Sequence, residues 1–116
     1  ALQPDGKIVV VGRRSNGANF DFAIMRYNSD GTPDASFNPG SAITGLQIVP
    51  IGSSNDIANK VVVQTDGKIV IVGTSAANAN GSNLDFAIVR LNANGLLRHP
   101  RIARAELTST DTRASV

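Results

Sequence analysis

Two aspartate–arginine sets recur in this sequence at the same internal spacing, Asp21 with Arg26 and Asp85 with Arg90. A guanidinium fork matches a carboxylate at two points, so an Arg opposite an Asp makes a structural ion pair between layers more readily than an anion site. Arg26 and Arg90 are therefore expected to pair with Asp21 and Asp85. Asp5 and Asp66 each stand before a glycine, Gly6 and Gly67, in a tight turn. A turn aspartate hydrogen-bonds its own backbone, which accounts for both without a ligand.

Other chemistry finds little material. The stretch 28–34, Asn-Ser-Asp-Gly-Thr-Pro-Asp, alternates oxygen side chains as calcium loops do. An EF-hand needs Gly at its sixth position and a bidentate acid at its twelfth, where this chain has Pro33 and Pro39. A weaker, irregular calcium site is the one metal reading left; no other cofactor is expected. His99 is the single histidine and there is no cysteine, so a histidine triad, a multi-histidine zinc site and a thiolate nucleophile are excluded within one chain. Paired carboxylates would have to come from Asp21, Asp30, Asp34, Asp56 or Asp85, and no spacing singles out two. No glycine-rich phosphate loop follows a strand and opens a helix. The expectation is a chain without catalytic, cofactor or metal residues, and not an enzyme.

The elements that carry these residues are repeats. Pro4-Asp5-Gly6-Lys7-Ile8-Val9-Val10-Val11-Gly12 returns 61 positions later as Thr65-Asp66-Gly67-Lys68-Ile69-Val70-Ile71-Val72-Gly73. Both blocks read as a type I turn, a positive-φ glycine and a strand, the design of a short bulged hairpin. The β-branched runs are apolar on both faces, as a strand covered on each side must be. Residues 20–28 return as 84–92 at an offset of 64, so the loop between the strands is three residues longer in the second copy. Loops 13–19 and 75–83 are thus exposed connections able to contact a ligand. Each copy closes on a second turn, Asn28-Ser29-Asp30-Gly31 or Asn92-Ala93-Asn94-Gly95.

Segments 42–51 and 57–64 read as two more strands, which gives four between 42 and 92 and two plus a stub before them. After Gly95 the pattern breaks: Leu96-Leu97-Arg98-His99-Pro100-Arg101 has no match in the first copy. A short helix over 101–107, started by Pro100, and disorder over 108–116 are expected there. The tail holds the excess of positive charge behind the net +2 of the whole chain, away from the aromatics. A nucleic-acid surface needs the two together, so nucleic acid is not an expected partner.

Carried by residues 3–10, by Asp21-Phe22-Ala23-Ile24 with Arg26 and Asn28, and by Asp30-Gly31 with Asp34-Ala35-Ser36-Phe37, the chain resembles the delta-60 repeat of bacterial proteins over about residues 1–95. That resemblance implies β-propeller blades, a surface or secreted setting and no established catalytic residues. The expected fold is all-β, with antiparallel propeller-like blades: a partial one in 1–41, a complete four-stranded one in 42–95, and a divergent basic tail in 96–116. Function is expected to be that of a scaffold or interaction module, against a rival reading as part of a propeller enzyme of hydrolase or lyase type, or a calcium- or glycan-binding propeller. Expected partners are other blades of the same array or further copies of the chain, and a protein or glycan ligand. No segment is apolar enough to span a membrane, and any secretion signal lies outside this segment.

Overall fold

The computed structural model describes residues 1–52, 54–76, 84–107 and 112–115, with side chains described as far as Leu97. Its eight strands are β1 (Ile8–Ser15), β2 (Phe20–Tyr27), β3 (Leu46–Val49), β4 (Asp56–Val63), β5 (Ile69–Ala76), β6 (Leu84–Leu91), β7 (Leu97–Leu107) and β8 (Thr112–Ser115). They form two antiparallel sheets, one of order β1-β2-β3 and one of order β4-β5-β6-β7-β8. The architecture is all-β, and no helix of the described residues is long and apolar enough to cross a membrane.

The same hairpin loop is built four times. Gly6, Gly31, Gly67 and Gly95 all have φ between 81° and 89°, which an L side chain reaches only at a cost of about 1–2 kcal/mol. In each, the glycine amide donates back three residues, to Gln3, Asn28, Gln64 or Asn92. The side chain ahead of the glycine then caps the amide that follows it: Asp5 takes Lys7, Asp30 takes Thr32, Asp66 takes Lys68 and Asn94 takes Leu96.

Strand membership departs from the expected blade boundaries. β3 pairs with β2, Phe22 opposite Val49 through Met25 opposite Leu46, and so belongs with the first copy. The chain is steered there by the loop 34–45, whose Gly45 carbonyl accepts the Arg26 amide and whose Asn38 side chain holds the Leu46 carbonyl. The fourth strand of the second sheet comes instead from β7, which pairs Phe86 with Ala105 and Val89 with Ile102. β7 thus takes beside β6 the place β3 takes beside β2. This corrects the expected helix: 101–107 is strand, because a continuing hairpin gives its backbone a ready ladder. Within the expected disordered tail, residues 112–115 form β8, and the rest of 108–116 lies outside the described residues.

The sheets stack face to face over one core. Val9, Phe22, Ile24 and Val49 of the first meet Ala58, Ile69, Ile71, Ala87, Val89 and Leu91 of the second. The expected double burial of β1 and β5 is realised on one face only. Val9 is 1% exposed but Val10 48%, while Ile71 is fully buried and Val72 is 38% exposed. Each strand offers two apolar faces, and the chain supplies a covering sheet for one.

Candidate functional site

The densest cluster of charge lies where the first sheet's loop meets the second sheet's turn. Asp34 is 3% exposed and Arg26 5%. Arg26 Nε donates to Asp34 Oδ2 at 2.7 Å, and Lys7 Nζ donates to the same oxygen at 2.8 Å. The other carboxylate oxygen of Asp34 accepts from the Ser36 amide at 2.9 Å and hydroxyl at 2.7 Å. Burial opposes the charge on Asp34, but the hydrogen bonds from Lys7, Ser36 and Arg26 outweigh it and hold the carboxyl far below the usual carboxylate range.

From this pair the first unit reaches across to the second. Arg26 Nη1 donates to the Ala93 carbonyl, and its guanidinium lies 4.8 Å from the centre of the Phe37 ring. Phe37 is fully buried, packed so closely on Gly95 that a Cβ there would sit 2.5 Å from the ring. Asn38, with φ 47°, turns the chain so that its amide donates to the Asn94 carbonyl, and Gln47 Nε2 donates to Gly95 O. Residues 34–38 are therefore a clamp that ties the turn 92–96 to the first sheet.

Arg26 accordingly pairs with Asp34 and not with Asp21, which corrects the expected partner. β2 places Asp21 and Arg26 on opposite faces of the strand, since alternate residues point to opposite sides. Asp21 instead accepts from Asn16 Nδ2 at 3.1 Å and lines a hollow of about 350 Å³ with Arg14, Ser15, Asn16 and Ile48. Arg90 has no acidic partner among the described residues, and Asp85 lies on the opposite face of β6. The repeat explains the difference: at the offset of 64, Asp34 corresponds to Arg98. Lys68, the counterpart of Lys7, meets, among the described residues, only the half-exposed Asp66, at 3.6 Å.

The turn aspartates are occupied by their own backbone. The Lys68 amide holds Asp66 below the ordinary carboxylate range, and the Thr32 hydroxyl does the same for Asp30. In the stretch 28–34, Asp30 serves Thr32 while Asp34 serves two cations, and no group of three metal-ligating side chains gathers among the described residues. The Asn80-Gly81-Ser82 triplet lies outside the described residues.

Another buried carboxylate, this one unmarked by the repeat, is Asp56. Fully enclosed, it accepts from the Ile51 amide at 2.9 Å, the Gly52 amide at 3.2 Å and the Ser75 hydroxyl at 2.7 Å. It pins the turn that carries the chain from one sheet to the next. Its signal in the sequence is faint: an Asp after a Gly-Ser-Ser-Asn loop and before an apolar strand.

Two stacked antiparallel sheets, tied together by the 34–38 clamp and repeating one hairpin design, define a piece of a β-propeller. The family described as a β-propeller domain of unknown function, DUF5122, matches residues 3–37 and again 64–97, together more than half of the chain. The chain belongs to that family. The first match ends on Phe37, so it takes in all of the clamp but Asn38; the second ends at Leu97, before the position corresponding to Asp34. No curated protein and no solved structure gives a significant match.

Proposed function

We propose that the chain is a non-catalytic scaffold and binding module, built from repeats of the delta-60 kind, in a bacterial surface or secreted protein. The observation that carries this reading is how the carboxylates are engaged. Asp34 neutralises Lys7 and Arg26, Asp56 holds two amides and a hydroxyl, and Asp5, Asp30 and Asp66 cap turns. Acids spent in this way stabilise a framework and do not converge on a substrate. The framework needs no cofactor, calcium included. Its stacked faces meet other blades, and the polar hollow lined by Arg14, Asn16 and Asp21, beside the loop 16–19 that is left once β1 runs to Ser15, offers a protein or glycan ligand hydrogen-bonding groups of both signs.

The test is to measure melting temperature and turnover together. Asp34→Asn and Asp56→Asn are each expected to lower the melting temperature with no ligand present, and millimolar calcium is expected to leave that of the native chain unchanged. Turnover of a polysaccharide or ester substrate that either variant abolishes at an unchanged melting temperature would overturn the reading.

A further inference from the structure

The two copies bury opposite faces, and that pattern identifies what covers the faces left open. Phe22 and Ile24 of β2 are fully buried between the sheets, whereas their counterparts on β6, Phe86 and Ile88, are 52% and 44% exposed. The opposite face reverses. Ile69 and Ile71 of β5 are fully buried, whereas Ile8 and Val10 of β1 are 37% and 48% exposed. Each sheet thus has a front, carrying Phe and Ile, and a back, carrying the two residues of the β1 or β5 run that point the other way. Within the chain, the front of the first sheet packs on the back of the second. A front on the second sheet and a back on the first are left over.

The glycines supply the detail of the fit. Gly73 sits in mid-strand with ordinary φ, and a Cβ on it would run into the Ile57 carbonyl of the neighbouring β4 and would also lie 2.8 Å from the tip of the Phe22 ring. It is the socket in which that ring rests. Its counterpart Gly12, on the back of the first sheet, has nothing within 4 Å of the same position, where, among the described residues, both a ring and a strand in the place of β4 are missing. A glycine costs strand stability and contributes no packing of its own, so an empty socket in a repeat has a use when another ring fills it. The ring of matching position is Phe86, which stands with Val72, Ile88 and Thr74 around an apolar hollow of about 420 Å³.

Charge follows the same register. Arg26 reaches across the internal interface to the carbonyl of Ala93, whose counterpart in the first turn is Ser29. There the next residue is the exposed Asp30, where the second turn has Asn94. Arg90, which lacks an acid at the position of Asp34, would meet one there.

We propose that the front of the second sheet docks on the back of the first sheet of a second copy of this chain, Phe86 seated on Gly12 and Arg90 directed to the turn at Ser29 and Asp30. This deepens the scaffold reading and rests on it for the stacking of blades. The contact continues the interface already present between the two sheets, and it is head-to-tail. Head-to-tail contacts close into rings when the rotation allows. Propellers close at about four to eight blades, so at two sheets per chain a ring takes about two to four chains.

The experiment is to measure the mass of the 116-residue chain and two variants by light scattering, with circular dichroism to confirm folding. The native chain is expected as an oligomer of at least twice its 12.1 kDa. Gly12→Leu places its side chain in open space, so the fold is kept, the socket is filled and the chain is monomeric. Phe86→Glu is monomeric too, by losing the other half of the contact. Because each variant keeps the face the other has lost, an equimolar mixture is expected to form one-to-one dimers. A monomeric native chain, a Gly12→Leu chain that assembles as the native one does, or a mixture that stays monomeric would each overturn the proposal; the second result would mean that fronts pack on fronts. These readouts are masses, and a turnover that defeated the scaffold reading would leave them untouched.

Discussion

The two copies present the same cations and only one of them has the anion. Lys7 and Arg26 converge on Asp34 inside the first unit, and the loop that carries Asp34 also brings Phe37 onto the second sheet's turn. In the second copy Lys68 and Arg90 keep their places, but Arg98 and Arg101 stand where Asp34 and Phe37 would be. The chain there does not bend into a clamp. It runs straight on from the turn into β7. The hairpin is thus what the repeat conserves within this chain, and the residues just after the second turn decide whether a unit reaches for its neighbour or completes its own sheet.

The comparison can be broken first at its largest contrast. Phe22→Ala is expected to cost about 3–5 kcal/mol by denaturant unfolding, the usual loss for a buried ring. In a Gly12→Leu chain, kept monomeric, Phe86→Ala is expected to cost under about 1 kcal/mol, as surface changes do. Equal losses would mean that the two faces are not differently covered.

The ion pairs give the next contrast. Asp34→Ala leaves a buried guanidinium without its partner and is expected to cost about 3 kcal/mol; Asp66→Ala, at an exposed, solvent-screened pair, is expected to cost much less. The pH dependence sharpens this. The Asp34 carboxyl titrates lower in the folded chain than in the unfolded one, so its contribution is complete above about pH 4 and is lost as pH falls below that. Acid titration of the native chain should show this loss, and that of Asp34→Asn should lack it. Smallest is the turn: Gly31→Ala, forced to positive φ with nothing near its Cβ, is expected to cost about 1–2 kcal/mol, and a matching loss for Gly12→Ala would remove the distinction between a turn glycine and a socket.

Local physics made the hairpins legible. An Asx side chain followed by Gly specifies a capped turn without reference to anything distant, and all four turns follow it; the β-branched runs after Gly6 and Gly67 specify a strand in the same local way. The role of Asp5 and Asp66 was readable for the same reason, since the bond partner is two residues away. Arg26 was readable as an ion-pair residue but its partner was not. Asp21 and Asp34 are five and eight positions from it, and alternation along β2 already puts Asp21 on the wrong face, while only the path of the loop 34–45 brings Asp34 to the right one. Asp56 was equally silent, because its partners Ile51, Gly52 and Ser75 gather through the turn and the neighbouring strand.

Taken alone, the sequence determined that this is an all-β repeat with two hairpins per copy and strands apolar on both faces, because period, turn chemistry and residue type are short-range properties. Only the tertiary structure decided that β3 belongs to the first sheet, that 101–107 completes the second, and that Asp34 is the shared anion. Those depend on which of several free edges and cations the chain meets when it returns. The front and back of each sheet were decided there as well: both faces are written in apolar residues, and burial of one against the sister sheet is what sets them apart.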